Sequence, residues 1–450
     1  MAPTQTTPTI LAEISRADLL NLSIPPSASI TDVKHLSSYN WIEAPTPTIA
    51  VPGSPPLWSP PRAPQQLKKD SGLVYIAQNA ARHPDSPLEP LFRALYIANP
   101  SFDIRSIDVV TDRNIIRKLL SFINPSSTRN GLEPFTFNIE IAKDTAIFSR
   151  VETATHEIIK PHEFRGFGHE FEKVYTTTQI NGSTGHHRII SYRFGDLNFI
   201  VRHETDGYLG ATPPSHSKAP ESDNLLRLLG SLSLSPTTPK LTSAASKLSI
   251  KPSGQPIPLA STLEIKTRVR HKPLNIEEIA PQLWVSQTPK LVRAYHHNGR
   301  FQRVEVEDVA AMIKGWEGRN QVDLRKLAAL ISRIVGVVRV RGGGAVVRYD
   351  VGRDKLVVSK ADGKKILPGD LYSKWDDRDE SGAESDREHD AAAESAGDRV
   401  ETEKEGKSPV FGPGDGKGEE DAKPAREGER RLPDHGIPKP TPAKDTESGL

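Results

Sequence analysis

Apolar positions along this chain recur at two spacings. Alternation marks a half-buried strand, and a three-to-four repeat marks an amphipathic helix. "FTFNIEIA" (135–142) and "AIFSRVE" (146–152) alternate on either side of "KDT" and predict a hairpin. "HRIISYRF" (187–194) and "LNFIVRHETD" (197–206) flank the tight Gly195–Asp196 turn and predict a second. "STLEIKTRVR" and "FQRVEVED" read as further strands, and "AVVRYDV" with "KLVVSKA" as a closing hairpin. The helical repeat runs through residues 73–98, "DRNIIRKLLSFI" (112–123), "GHEFEKVYTT" (168–177), "IAPQLWVSQTPKLVRAYHH" (279–297) and "DLRKLAALISRIVGVV". Residues 45–64 hold too many prolines for helix or sheet. They predict an extended run over the surface, anchored by Ile49, Val51, Leu57 and Trp58.

Together these elements predict a single α+β domain, with mixed central β-sheet flanked by helices. Its expected bounds are residues 31–375, after a flexible N-terminus over 1–30. Residues 210–260 are rich in Ser and Pro and predict a mostly disordered insert, with a short helix at "NLLRLLGSL". Periodicity stops at Asp376, so 376–450 predict a disordered acidic tail.

Composition narrows the chemistry. The chain has no cysteine, which excludes disulfides, zinc–thiolate sites, iron–sulfur clusters and a cysteine nucleophile. A metal must then be held by oxygen or by His nitrogen, which favours hard ions such as Mg²⁺ or Mn²⁺. There is no apolar stretch of about 18 residues to span a membrane. The N-terminus lacks the basic-then-apolar pattern of a signal peptide. The expectation is a soluble protein of the nucleus or cytoplasm with no membrane partner. The net charge of +2 hides an asymmetry. From Asp376 onward 22 acidic residues face 12 basic ones, whereas the preceding body holds 47 basic and 35 acidic. A basic body suits a polyanionic partner, although mild basicity is also common among globular domains.

Three short patterns carry candidate chemistry. In "TLEIKTR" (262–268) a strand places Glu264 and Lys266 on one face and Ile265 on the other. Alone this is an ordinary surface ion pair. In "FIVRHETDG" Glu204 and Asp206 stand two apart at a strand end. Neighbouring carboxylates repel unless a cation sits between them, so the pair reads as metal ligands or as a solvent-facing strand end. In "GHEFE" Gly168 opens a helix and Glu172 lies beside apolar positions, where a carboxylate needs a partner. His169 reads as a ligand or as a capping residue. A helix glutamate, Glu-x-Asp and Glu-x-Lys in that order is the chemistry of PD-(D/E)XK nucleases, in which carboxylates hold Mg²⁺ or Mn²⁺ at a scissile phosphate.

The series resembles the DXO (Dom3Z-type) family of eukaryotic RNA decapping and 5′–3′ exonucleases. "VVTDRNIIRKLL" is similar to the family's first motif and points to Arg113. Gly168 and Glu172 match Gly-x-x-x-Glu, Glu204 and Asp206 match Glu-x-Asp, and Glu264 and Lys266 match Glu-x-Lys. "LWVSQTPKLVRAYHHNGRF" resembles the Trp-x-x-Gln helix and points to Gln287. The resemblance spans about Thr31–Trp375. The motifs keep the family's order but depart from it at Asn114, where a glycine is usual, at "FRGF", where an aromatic precedes Gly-x-x-x-Glu in the family, and in the long insert.

The resemblance implies a PD-(D/E)XK-like fold and a hydrolase acting on RNA 5′ ends, by decapping, pyrophosphate hydrolysis or 5′–3′ exonuclease action. It implies two divalent ions held by Glu172, Glu204, Asp206, Glu264 and the Ile265 carbonyl. Lys266 and Gln287 would hold the nucleophilic water or phosphate, and Arg113 an RNA phosphate. A 5′–3′ exoribonuclease partner is a further implication. Two alternatives stay open: a RecB-like DNA nuclease, which would recruit His169 and pair Gln287 with Tyr295, and an inactive nuclease-fold protein that binds RNA ends or a partner.

Overall fold

Alternating Ile, Phe, Tyr and Val residues make Ser183–Phe194 and Leu197–Glu204 an antiparallel pair, in register from His187 opposite Glu204 to Phe194 opposite Leu197. In this computed structural model the described residues are 8–125, 132–210 and 246–376, and all lie in one compact unit, residues 1–378. The hairpin is the centre of an eleven-stranded mixed sheet. Leu197–Glu204 has Val109–Asp112 parallel on its outer side, and Ser183–Phe194 has Ile30–Ile42 antiparallel on its own. Ile190, Tyr192, Phe194, Phe199 and Val201 face one apolar cluster, covered by the helices Arg113–Ile123, Ile276–Ser286 and Gln321–Val340. Ile189 and Ile200 face the other, under the helix Glu89–Ala98. The fold class is therefore α+β, as the alternation and the helical repeats predict.

A second sheet of eight strands holds Gly207–Tyr208, Thr262–Val269 and Lys290–His297 at its centre. Leu263, Ile265, Val292 and Ala294 pack there against Phe171 and Tyr175 of the helix Gly168–Tyr175. The chain passes from the large sheet to the second one through Thr205 and Asp206. Gly207 and Tyr208 then pair antiparallel with Leu263 and Thr262.

Several expectations are corrected. The helical reading of 279–297 holds only as Ile276–Ser286, after which Lys290–His297 is a strand parallel to Thr262–Val269. Pro289 disfavours helical backbone at Thr288, and Gln287 caps the helix with φ 51°. Within 73–98, Gly72–Tyr75 is a strand paired with His156–Ile159, and the helices are confined to Gln78–Arg82 and Glu89–Ala98. The proline-rich 45–64 contains the strand Thr48–Gly53, held between Ile30–Ile42 and Ser249–Gly254. Ser249–Gly254 in turn lies inside the stretch expected to be disordered. Ile10–Ser15, expected to be flexible, pairs antiparallel with the strand Lys355–Lys360. In all three cases backbone pairing with a strand distant in sequence orders the segment: Ile10–Ser15 and Ser249–Gly254 are the two edges of the large sheet, and Thr48–Gly53 lies just inside the latter with Ile49 and Val51 in the core. The "NLLRLLGSL" helix and the tail beyond Asp376 fall outside the described residues. Among the described residues no helix is long and apolar enough to cross a membrane.

Candidate active site

The helix Arg113–Ile123 buries Ile115, Ile116, Leu119, Leu120, Phe122 and Ile123 in the core beside the large sheet, which leaves its polar positions partly exposed. Its start is fixed from below. Asp112 does not cap the helix; its carboxylate accepts from Arg202 Nε at 2.7 Å and Nη2 at 2.9 Å, a buried two-pronged pair. Arg202 also donates to the Pro87 carbonyl at 2.6 Å and to Tyr39 Oη at 3.2 Å. Arg113, the next residue, then reaches Glu264, donating to Oε2 at 3.2 Å.

Glu264 is 2% exposed and is the best-partnered group of the site. Besides Arg113 it accepts from Lys266 Nζ at 2.5 Å and from the side-chain amide of Gln282. Burial pushes its carboxyl up, but Lys266 and Arg113 outweigh burial and hold it well below the usual range. Lys266 is in turn kept charged by Glu264 and Asp206 against its own desolvation.

The opposite wall is built differently. Glu172 projects from the helix Gly168–Tyr175, which Phe171 and Tyr175 anchor and whose Glu170 amide donates to Asp70 Oδ1 at 2.9 Å. Asp206 lies just past the end of Leu197–Glu204 and accepts from the Ile265 amide at 2.8 Å. Glu204 stands at the exposed rim, while Glu172 and Asp206 are half-buried. All three carboxyls are pushed up. Burial is the first cause in each. Asp206 and Glu204 add repulsion on Glu172, and Glu264 adds it on Asp206 and Glu204. Gly185 makes room here: a Cβ on it would stand 3.1 Å from Glu204 Oε1 and 2.5 Å from Gln78 Oε1.

The structure thus brings Arg113, Glu172, Glu204, Asp206, Glu264 and Lys266 into one cleft, with the buried Ile265 among them. Gln287 is elsewhere. It donates from its side chain to the Trp284 carbonyl at 2.5 Å and lies among Pro289, Ile313 and Glu317. Gln287 was expected at the nucleophilic water or phosphate; the glutamine of this helix that reaches the cleft is Gln282, one turn and a half earlier, which donates to Glu264. The Trp-x-x-Gln match pointed past the end of the helix, and Pro289 was the available signal. His169 pairs with Asp70, Nδ1 3.5 Å from Oδ2, and that acid holds the imidazole up, with a smaller attraction from Glu204 through space. Tyr295 Oη accepts from the Leu274 amide at 3.0 Å, away from Gln287. Sequence reasoning also missed Arg117, one turn after Arg113.

Among the described residues, no three His, Asp or Glu side chains are grouped closely enough to hold a metal ion in this arrangement. The oxygens of Glu264 are also taken by Lys266, Gln282 and Arg113. The donor chemistry nonetheless fits a hard divalent ion. Glu172, Glu204 and Asp206 offer only oxygen, and their mutual repulsion is what a divalent charge relieves. A cavity of about 690 Å³ lies elsewhere, lined by residues that include Glu140, Arg150, Gly343 and Lys365, and none of the motif residues borders it.

A family model described as "Domain of unknown function (DUF8563)" matches residues 14–371. No curated protein matches the chain. Among solved structures the chain is similar to S. pombe Rai1, at 12% identity over 78% of this chain and 99% of that one, with a TM-score of 0.48. It is similar to Candida albicans Rai1 in complex with pU5-Mn²⁺, at 13% identity over 82% and 98%, with a TM-score of 0.48. It is also similar to K. lactis Dxo1 in complex with manganese, at 10% identity over 78% and 97%, with a TM-score of 0.43.

Proposed function

The chain belongs to the DUF8563 family, and for this member we propose metal-dependent hydrolysis of phosphate ester or anhydride bonds at the 5′ end of RNA. The observation that carries this reading is the convergence of Glu172, Glu204, Asp206, Glu264 and Lys266 from three separate segments on one cleft. Four carboxylates and a lysine have no structural reason to be packed together, since the acids raise one another's pKa. Glu172, Glu204, Asp206, Glu264 and the Ile265 carbonyl would hold two divalent ions, Mg²⁺ or Mn²⁺. Bound there, such ions supply charge stabilisation at the scissile phosphate and lower the pKa of water. Lys266, held charged by Glu264 and Asp206, presents an ammonium to a phosphate oxygen or to the attacking water. Gln282 fixes the Glu264 carboxylate from the other side. The domain plan that goes with this reading is a hydrolase body over 31–375, with its strand Ile10–Ser15 as an extension and an acidic tail after it.

The DNA-nuclease alternative loses support, because His169 is engaged with Asp70 and Tyr295 with Leu274. The test is incubation of the full chain and Mn²⁺ with 5′-triphosphate, NAD-capped and 5′-monophosphate RNA, beside single-stranded DNA of the same sequence. Release of product from at least one RNA, lost in a Glu264→Ala/Asp206→Ala variant, is the expected result. Cleavage of DNA alone sinks the RNA assignment, and no cleavage of any substrate sinks the enzyme.

A further inference from the structure

One cation of the cleft is not used by the site described above. Arg113 and Arg117 stand four residues apart on the helix Arg113–Ile123, so they share a face at about one helical turn. Both are half-buried. Arg113 is spent on Glu264, whose other oxygen takes Lys266 and Gln282. Arg117 is close enough to interact with Glu264 and Arg113 through space, yet its guanidinium makes no hydrogen bond or ion pair with any described residue. Burial, then the like charge of Arg113, disfavours its charged form, and Glu264 offsets this only in part. An arginine kept in that setting lacks an anion. Its planar fork matches a phosphate in two-pronged fashion, which a lysine cannot reproduce.

We propose that Arg117 binds a backbone phosphate of the single-stranded substrate, beside the phosphate that Lys266 faces. The proposal rests on the RNA-hydrolase reading and adds to it the residue that grips the strand. It also explains why the helix presents two arginines: Arg113 positions Glu264, and Arg117 is left for the ligand.

The test is equilibrium binding of a single-stranded RNA oligonucleotide to the full chain, with Ca²⁺ present, over a range of salt concentrations. Wild type, Arg117→Met and Arg117→Lys are compared, each with its melting temperature. One phosphate contact on a single strand contributes about 0.7 to the slope of log affinity against log salt. Arg117→Met is expected to make the slope shallower by about that much and to weaken binding about tenfold, with its melting temperature unchanged or raised. Arg117→Lys should keep the slope and bind more weakly than wild type. An unchanged slope in Arg117→Met overturns the proposal, whether affinity is retained or is lost together with melting temperature as for a structural residue. Wild type that binds no RNA at any salt overturns the RNA reading itself, so the two failures are distinguishable.

Discussion

The two walls of the cleft hold acidic residues in opposite states. On one wall Glu264 is buried among Lys266, Arg113 and Gln282 and stays ionised well below the usual carboxylate range. On the other, Glu172, Glu204 and Asp206 have more solvent but too little positive charge, and burial with mutual repulsion pushes all three up. Exposure alone predicts the reverse order. What decides is the partner: Lys266 and Arg113 outweigh desolvation at Glu264, while the other wall is left with a deficit of positive charge. A deficit built from oxygen donors, facing a lysine and two arginines, is the electrostatic shape that a divalent cation and a phosphate fill together.

The largest expected effect breaks the acidic wall. Asp206→Asn should lower the Mn²⁺-dependent hydrolysis of 5′-end-labelled RNA by roughly a thousandfold, since several kcal/mol of metal-derived charge stabilisation are at stake. Turnover at saturating metal is the readout, and activity within a few fold of wild type contradicts the assignment of this residue.

Next in size is a difference of sign between the walls, read by urea denaturation in EDTA. Lys266→Met removes a donor from buried Glu264 and should cost ~2 kcal/mol. Glu172→Gln removes one of several repelling charges and should stabilise the metal-free protein by ~1 kcal/mol. Two changes of the same sign would mean that the walls do not differ as described.

The two helix glutamines give a sharper, smaller contrast. Gln282→Leu should reduce kcat by about tenfold to a hundredfold through the Glu264 carboxylate, as loss of a supporting hydrogen bond does in metal sites. Gln287→Leu should leave kcat unchanged, because among the described residues the Gln287 side chain bonds to its own helix end. Equal losses would place both residues in the site.

A third region limits the comparison. On the large sheet Arg188 is fully buried with its three guanidinium nitrogens unpaired among the described residues, near His35, His186 and His203. Among the described residues no carboxylate pairs with it. Instead desolvation, then Arg188, keeps His35 neutral down to about 4 and lowers His186 well below its ordinary value. The unfolded chain takes up protons near pH 6.5 while folded His35 does not, so stability should fall as pH drops below about 6.5. The slope of unfolding free energy between pH 7 and 5 should flatten in His35→Gln. A slope identical to wild type would remove His35 from the cause.

Much of the site was legible because strand spacing is unforgiving. Two residues apart on Thr262–Val269 puts Glu264 and Lys266 on one face whatever the rest of the fold does. Glu204 and Asp206 were legible as a pair but not in their geometry, since Asp206 lies past the strand end and is aimed by the Ile265 amide. Helix residues were harder. Trp284 made Gln287 the obvious partner, but the helix stops at Ser286, and only Gln282 remains on the turn that faces Glu264. Arg117 had no motif to announce it, and its significance comes from a partner it lacks. The strands Ile10–Ser15, Thr48–Gly53 and Ser249–Gly254 were missed because long-range backbone pairing, which no local pattern records, orders them.

The account stands most directly on the acidic wall taking up a divalent ion. Calorimetric titration of the EDTA-stripped protein with Mn²⁺, beside Asp206→Asn and Glu172→Gln, tests this without any substrate. Saturable binding by wild type that weakens strongly in both variants is the predicted result. No binding by wild type, or binding undiminished in both variants, would contradict it.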